Sequence, residues 1–220
     1  MITPIILEDL FELNDNIQPN FDGEIIIIDN IFKNYEKILD VCLNMPVEQW
    51  KTTIDSRNFI DYYDCRPIFN NFYPIQDKLN KRISTLLSIT KHFFKLTNNP
   101  ILRKNFEFNY FKNNIKNLSK NLQFYPHRDP YFNCIIYLDP QSDGGTAIYK
   151  HVNEFKNNEA KNIFYDISSL EIERIIQSKP NRCVIFPGYK LHGGYIENHN
   201  TYLYNWRINL VHFLTNDTNN

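Results

Sequence analysis

Two histidines and one aspartate are spaced in the sequence as ligands of one metal ion would be. In Tyr125-Pro-His127-Arg-Asp129-Pro, an imidazole and a carboxylate are two residues apart, so both point to the same side of an extended chain. In Phe186-Pro-Gly-Tyr-Lys-Leu-His192-Gly-Gly, a histidine follows a predicted buried strand, beside glycines that allow backbone and ligand to approach closely. The sequence therefore predicts a metal site formed by His127, Asp129 and His192.

This set of ligands favours iron. Two histidines and one carboxylate on one face of an octahedron leave three positions open, as in non-haem Fe(II) oxygenases. Two of these positions can chelate a 2-oxo acid, and the third can bind O₂. A zinc hydrolase uses the same types of ligand, but a catalytic zinc is usually tetrahedral and has one open position.

Arg207 is the predicted anchor for a carboxylate co-substrate. Along the last long predicted strand it is the single cation on one face, whereas the other face is apolar, with Tyr204, Trp206, Ile208 and Leu210. An arginine that points into a barrel needs an anionic partner, and its planar guanidinium binds a carboxylate bidentately. An internal Asp or Glu partner is the alternative interpretation.

Three other histidines compete for a place in the site. His199 lies in the polar turn Glu197-Asn-His-Asn200 and lacks the Phe-Pro-Gly segment that precedes His192, so His192 is the predicted distal ligand. His212 shares the apolar face of the last strand and is expected outside the cavity. His151 is expected to be exposed or at the mouth of the substrate site.

Helices are predicted before the residues of the site. Residues 24–29 form a β-branched run typical of a buried strand, and Asn30 is predicted to cap a helix that ends at Pro46. A second amphipathic helix is predicted from Ile75 to about Phe94.

Strands dominate after about Leu102, where the apolar period changes from 3.6 to 2. A polar helical insert is expected over 153–178. The strands are predicted at 102–111, 132–138, 146–150, 182–186, 193–197 and 202–214. The predicted fold class is α+β, mainly β, with a barrel or sandwich that N-terminal helices buttress on one face.

Composition predicts one folded domain over residues 1–220. A chain of 220 residues can bury one sizeable core, and 15% aromatic residues exclude a disordered chain. Because 24 Lys and Arg nearly balance 25 Asp and Glu, no nucleic-acid or membrane partner is indicated. No apolar run approaches the roughly 18 residues of a membrane span, and the N-terminus lacks a basic signal region, so a cytoplasmic location is expected. The four widely spaced cysteines are predicted to be buried free thiols.

Residues 102–214 resemble the 2-oxoglutarate and Fe(II)-dependent dioxygenase superfamily, whose double-stranded β-helix carries an HxD...H triad followed by a basic residue. His127 and Asp129 match the HxD, His192 matches the distal histidine, and Arg207 follows it by 15 residues. Tyr110 stands where prolyl-hydroxylase-like members have a tyrosine hydrogen-bonded to 2-oxoglutarate. The family's strand and glycine-rich turn, and its strand before the distal histidine, are matched by Ile136-Tyr-Leu138, Gly144-Gly-Thr146 and Pro180-Asn-Arg-Cys-Val-Ile-Phe186.

The resemblance implies a double-stranded β-helix of the jelly-roll or cupin-like type over 101–214, with an N-terminal strand and supporting helices over 1–100 and a tail over 215–220. It implies Fe(II), 2-oxoglutarate and O₂ as cofactors. The implied reaction is hydroxylation of a C–H bond in a peptide, a protein or a small molecule, with release of succinate and CO₂. Candidates for substrate contacts are Tyr125, Arg128 and Tyr137. A demethylase, a desaturase and a catalytically silent metal-binding barrel remain alternatives.

Within the superfamily, HRDPYFNCIIYLDPQSDGGTAIYKH is most similar to a group of phage and marine-bacterial oxygenases. This similarity raises the expectation of a virus-encoded protein that acts in the host cytoplasm. Residues 111–124 are longer than the corresponding turn of prolyl hydroxylases, which argues against a prolyl substrate. Asp129 argues against a halogenase, because halogenases of this superfamily replace the carboxylate to admit a halide.

Overall fold

The computed structural model describes residues 12–44, 50–52, 65–67, 100–102, 109–113, 126–129, 132–150, 170–198, 200–201, 205 and 207–216. Over these residues the protein is mainly β, with antiparallel sheets and the helix α1 (Tyr35–Asn44). The strands in chain order are β1 (Asn20–Asp22), β2 (Ile25–Ile28), β3 (Trp50–Thr52), β4 (Cys65–Pro67), β5 (Pro100–Leu102), β6 (Asn109–Asn113), β7 (Phe132–Tyr137), β8 (Gly145–Tyr149), β9 (Ile172–Gln177), β10 (Arg182–Pro187), β11 (His192–Tyr195) and β12 (Arg207–Asn216). None of the helices in this part of the chain is long and apolar enough to cross a membrane.

Two sheets carry the residues of interest. The larger sheet has the order β1-β2-β10-β7-β12-β5, and β6 also pairs with β12. The smaller sheet has the order β11-β8-β9, while β3 and β4 pair separately. A single antiparallel bridge between His127 and His192 connects the segment 126–129 to β11.

The central strands β2, β7 and β10 of the larger sheet are buried on both faces. One face packs against Ile38, Leu39 and Cys42 of α1, so this helix buttresses the sheet as expected, and the sheet contributes Cys134, Ile136, Cys183, Ile185, Ile208 and Leu210 to that contact. The opposite face meets the smaller sheet, where Tyr137, Val184 and Phe186 pack with Ile148 and Ile176. Each such buried side chain is worth about 1.5–3 kcal/mol. The strands β7 and β10 therefore alternate between two cores, and their inward residues face the smaller sheet.

The start of α1 differs from the prediction. Residues Ile25–Ile28 form the expected strand, but Asn30 has φ 55° and is not the helix cap. The helix begins five residues later because Asn181 engages the backbone at Ile31 and Phe32. Its backbone oxygen accepts from Ile31 N at 3.0 Å, and its side chain bonds Phe32 N at 2.9 Å and Phe32 O at 2.8 Å. These bonds hold the N-terminal segment against the turn before β10.

The strands predicted at 132–138, 146–150, 182–186 and 193–197 agree to within two residues with β7, β8, β10 and β11. The strand predicted at 102–111 is described only at its ends, as parts of β5 and β6, and residues 103–108 lie outside the described residues. The expected helical insert over 153–178 is wrong at its C-terminal end, because Ile172–Gln177 forms β9 and pairs with β8. The polar residues Glu173 and Arg174 lie exposed on this outermost strand of the smaller sheet. The last strand begins at Arg207 rather than at residue 202. The helix predicted over 75–94 lies outside the described residues.

The turn before β8 requires glycine at two positions. Gly144 has φ 74° and Gly145 has φ 148°, both in the region that favours glycine. A Cβ atom at Gly144 would lie 2.0 Å from Tyr195 O, and one at Gly145 would lie 2.0 Å from Ile176 O. Both contacts are with backbone atoms of the smaller sheet, so no side-chain movement could relieve them.

Candidate metal centre

Backbone pairing brings the two predicted histidine ligands together. His127 N donates to His192 O at 2.8 Å, and His192 N donates to His127 O at 3.0 Å. Directly opposed residues of an antiparallel pair place their side chains on the same face. Asp129 N donates to Gly188 O at 2.8 Å, which fixes the carboxylate beside the loop that leads to β11. Residues 127–129 therefore lie alongside residues 188–192 and are bonded to them through the backbone.

The three side chains converge on one point. Asp129 Oδ2 lies 3.2 Å from His192 Nε2 and 3.6 Å from His127 Nε2, and all three ligand atoms lie within 4.8 Å of one another. Adjacent ligands of an octahedral ion with bonds of about 2.1 Å are about 3.0 Å apart, and tetrahedral ligands are slightly farther apart. The predicted triad is therefore brought together at distances that suit a single metal ion.

The site opens on one side. The side chain of His192 is 4% exposed, that of Asp129 is 16% exposed and that of His127 is 37% exposed. Phe186 packs edge-on against the His192 ring, with 4.9 Å between ring centroids. His192 Nδ1 donates to Lys190 O at 2.7 Å, and this bond leaves the Nε2 lone pair of the neutral imidazole available toward Asp129.

Electrostatics favour the protonation states that a metal needs. Burial lowers the pKa of His192, and the proximity of His127 adds to this effect, against the opposing influence of Asp129. Burial alone would raise the pKa of Asp129, but the neighbouring imidazoles of His127 and His192 outweigh it and hold this pKa well below its ordinary value. At neutral pH the site therefore offers an ionised carboxylate and a neutral His192.

Asn133 is a residue of the site that the sequence interpretation missed. It is 2% exposed, and its Nδ2 lies 2.7 Å from Asp129 Oδ2 and 2.8 Å from His192 Nε2. It lies four residues after Asp129 and has the parity of Tyr137 along β7. A polar residue at an inward position of a predicted strand is the signal that could have identified it.

Arg207 is buried between the two sheets, at 8% exposure. Its Nη2 donates to Gly145 O at 3.1 Å, so β12 is bonded to the start of β8. With the Asn209 amide turned so that its oxygen faces the guanidinium, Nη1 donates to Asn209 Oδ1 at 2.8 Å. The guanidinium is therefore bonded to the side-chain amide of Asn209 on its own strand and to the carbonyl of Gly145 in the smaller sheet.

A hydroxyl pair lies within electrostatic reach of Arg207. The hydroxyls of Tyr137 and Thr146 are 2.6 Å apart and fully enclosed. Burial raises the pKa of Tyr137 to about 12, although the bond from Thr146 and the positive charge of Arg207 act in the opposite direction. The phenol therefore stays protonated and remains a hydrogen-bond donor at physiological pH.

The remaining candidates are placed less fully. Arg128 donates from Nη1 to Tyr189 O at 3.1 Å, and Tyr189 is 55% exposed with its hydroxyl bonded to Glu24. Tyr110 pairs with Leu210 in the register of β6 and β12, and its side chain lies outside the described part of the structure. Tyr125 also lies outside it, as do the competing residues His151 and His199 and the side chain of His212.

The predicted thiol state of the cysteines is confirmed for those that the structure describes. Cys42, Cys134 and Cys183 are buried and form no disulfide. The sulfur atoms of Cys134 and Cys183 approach to 3.5 Å within the core beneath α1. These thiols lie on the outward face of β7 and β10, away from the candidate metal site.

Comparison with known proteins supports the fold alone. No protein-family model matches the chain, and no curated protein matches it in sequence. The crystal structure of AviO1 from Streptomyces viridochromogenes Tue57 is similar, with a TM-score of 0.51 and 11% sequence identity. The match covers 90% of this chain and 92% of the AviO1 chain. At this identity the likeness extends to the β-rich architecture and not to the activity.

Proposed function

We propose that the protein is an Fe(II)- and 2-oxoglutarate-dependent oxygenase that hydroxylates a C–H bond. The observation that carries this proposal is the convergence of His127, Asp129 and His192, whose ligand atoms lie within 4.8 Å of one another. Two histidines and one carboxylate are the donor set of non-haem Fe(II) oxygenases. When bound, Fe(II) with 2-oxoglutarate and O₂ would supply the oxidation, with release of succinate and CO₂.

The strand order supports a double-stranded β-helix as the core of this enzyme. The chain first passes through β6 of the larger sheet, then through the segment 126–129 beside β11 of the smaller sheet, and then through β7 of the larger sheet. It continues through β8 and β9 of the smaller sheet, β10 of the larger, β11 of the smaller and β12 of the larger. In this proposal two facing sheets wind around one interior, and the triad lies at an open end.

The chain's own residues divide the work of this proposed site. His127, Asp129 and His192 hold the metal, and the bond from His192 Nδ1 to Lys190 O fixes the ring in the tautomer that can bind it. The opening beside the half-exposed His127 admits the substrate. Arg128, at this opening, remains the candidate for a substrate contact, together with Tyr125.

Arg207 is proposed to bind the distal carboxylate of 2-oxoglutarate. The buried guanidinium bonds the Gly145 carbonyl through Nη2 and the Asn209 amide through Nη1, and its planar fork can bind a carboxylate bidentately between the sheets. The protonated hydroxyl of Tyr137, or that of its partner Thr146, can donate to the same carboxylate. We therefore assign Tyr137 to the co-substrate rather than to the substrate, beside the role proposed for Tyr110.

The activity is tested by succinate formation. Iron-loaded protein is incubated in air with 2-oxoglutarate and with fractions of a cell lysate as the source of substrate, and Asp129→Ala serves as the matched control. The proposal predicts succinate in at least one fraction with the wild type and none with the variant. Binding of iron and 2-oxoglutarate without succinate in any fraction would support the silent metal-binding barrel instead.

The same assay identifies the class of substrate. A peptide, a protein and a small metabolite are all compatible with an opening that carries an exposed aromatic residue, Tyr189, beside Arg128. Protease treatment of an active fraction removes the first two classes and leaves the third. Mass spectrometry of the product then separates a gain of one oxygen from a loss of hydrogen or of a methyl group.

A further inference from the structure

Asn133 contacts the ligand atoms of Asp129 and His192 in the proposed metal site. Its Nδ2 atom carries two hydrogens and lies 2.7 Å from Asp129 Oδ2 and 2.8 Å from His192 Nε2. These two acceptors are themselves 3.2 Å apart. One amide nitrogen therefore bonds the carboxylate and the imidazole at the same atoms that would bind a metal.

The two acceptors differ in how many bonds they can accept. His192 Nδ1 donates its proton to Lys190 O, so Nε2 has one lone pair, which lies in the ring plane. That lone pair can accept from Asn133 or bind a metal, but it cannot do both. An ionised carboxylate oxygen has a second lone pair, so Asp129 Oδ2 can keep its bond to Asn133 while it binds a metal.

We propose that Asn133 is a positioning residue that substitutes for the metal ion in the metal-free protein. It holds Asp129 and His192 together through its amide, and metal binding breaks the bond to His192 while the bond to Asp129 remains. This inference rests on the metal site of the proposed function. It assigns Asn133 a role in metal uptake, not in the chemistry of the substrate.

The amide oxygen of Asn133 does not oppose a turn of the amide away from His192. No group among the described residues bonds Asn133 Oδ1, although this atom is buried. A turn of the amide away from His192 therefore breaks one hydrogen bond and no other. The net worth of one such bond corresponds to a factor of about 2–10 in an equilibrium constant, so Asn133 should weaken metal binding by about that factor.

The inference predicts an unusual result for Asn133→Leu, which keeps the size of the side chain and removes its donors. The metal-free variant loses two bonds and the metal-bound variant loses one, so its affinity for Zn²⁺ should rise about 2- to 10-fold in competition with a chelator. A residue that merely supports a ligand has the opposite effect, since its loss lowers affinity by about 10- to 100-fold. Unchanged or weaker binding by the folded variant would overturn the inference. Ile135→Val, at the next inward position of β7, is the matched control and should bind as the wild type does.

Side-chain amide signals of the wild type give a test that needs no variant. In the metal-free protein both Nδ2 protons of Asn133 should resonate as hydrogen-bonded protons. Addition of diamagnetic Zn²⁺ should shift one of the two toward the position of an unbonded amide and leave the other in place. If Zn²⁺ binds and neither signal moves, this inference is wrong and the metal site stands; if Zn²⁺ does not bind, both are wrong.

Discussion

Replacement of Arg207 by methionine should weaken 2-oxoglutarate binding by several orders of magnitude. In the proposed complex the guanidinium makes two parallel bonds to the distal carboxylate, and each hydrogen bond to a charged group is worth about 1.5–3 kcal/mol. Loss of both bonds removes about 3–6 kcal/mol, which corresponds to a factor of about 10² to 10⁴ in the dissociation constant. Arg207→Lys keeps the charge but not the planar fork, so it should fall between the wild type and Arg207→Met.

The protein should remain folded in this experiment. Arg207→Met leaves the buried Gly145 carbonyl without its bond from Nη2, which costs about 1–3 kcal/mol of stability. Anaerobic calorimetry of 2-oxoglutarate binding to the iron-loaded protein measures the affinity, and a denaturant titration measures the stability. The control is Arg174→Met on β9, since this arginine is 41% exposed and pairs with Asp22. A folded Arg207→Met protein with the affinity of the wild type would refute the assignment of Arg207.

Three further predictions concern stability, pH and the hydroxyl pair. Asn181→Ala removes both side-chain bonds to the buried backbone of Phe32 and places alanine at a position with φ 60°, so the free energy of unfolding should fall by about 3–8 kcal/mol in a denaturant titration. Asn181→Gly should lose less. The lowered pKa of His192 makes the folded protein bind fewer protons than the unfolded chain, so stability should be full above pH 6.5 and fall as the pH drops below it. Thermal melts across this pH range should show the loss in the wild type and not in His192→Gln. The lowered pKa of Asp129 adds a second loss below pH 3.8. Tyr137→Phe should raise the 2-oxoglutarate dissociation constant about 10-fold at nearly unchanged metal affinity, and an unchanged constant would remove Tyr137 from the co-substrate site.

The triad could be predicted from the sequence because its pattern is local. His127 and Asp129 are two residues apart on an extended segment, and the signals around His192 lie within a few residues of it. The alternation of the strands likewise depends on neighbours in sequence, so β2, β7, β8 and β10 fall close to their predicted positions. The pairing of His127 with His192 then brings the local patterns together.

Other features depend on contacts between residues that are far apart in sequence. Asn133 acquires its role by touching His192, 59 residues away, and Asn181 sets the start of α1 through Phe32, 149 residues away. The sequence predicts a helix for the segment that forms β9, because the apolar pattern of this segment does not indicate a strand. Its pairing with β8 makes it a strand. In each case a partner in the tertiary structure overrides the local preference.

The most direct test of the central claim is the visible spectrum of the protein under anaerobic conditions. Chelation of 2-oxoglutarate by Fe(II) at the triad should produce a weak charge-transfer band when both are added to the wild type. The band should be absent in His127→Ala, which lacks one ligand, and should require more 2-oxoglutarate in Arg207→Met. A wild-type protein that binds Fe(II) and 2-oxoglutarate without this band, or a His127→Ala variant that keeps it, would contradict the proposed site.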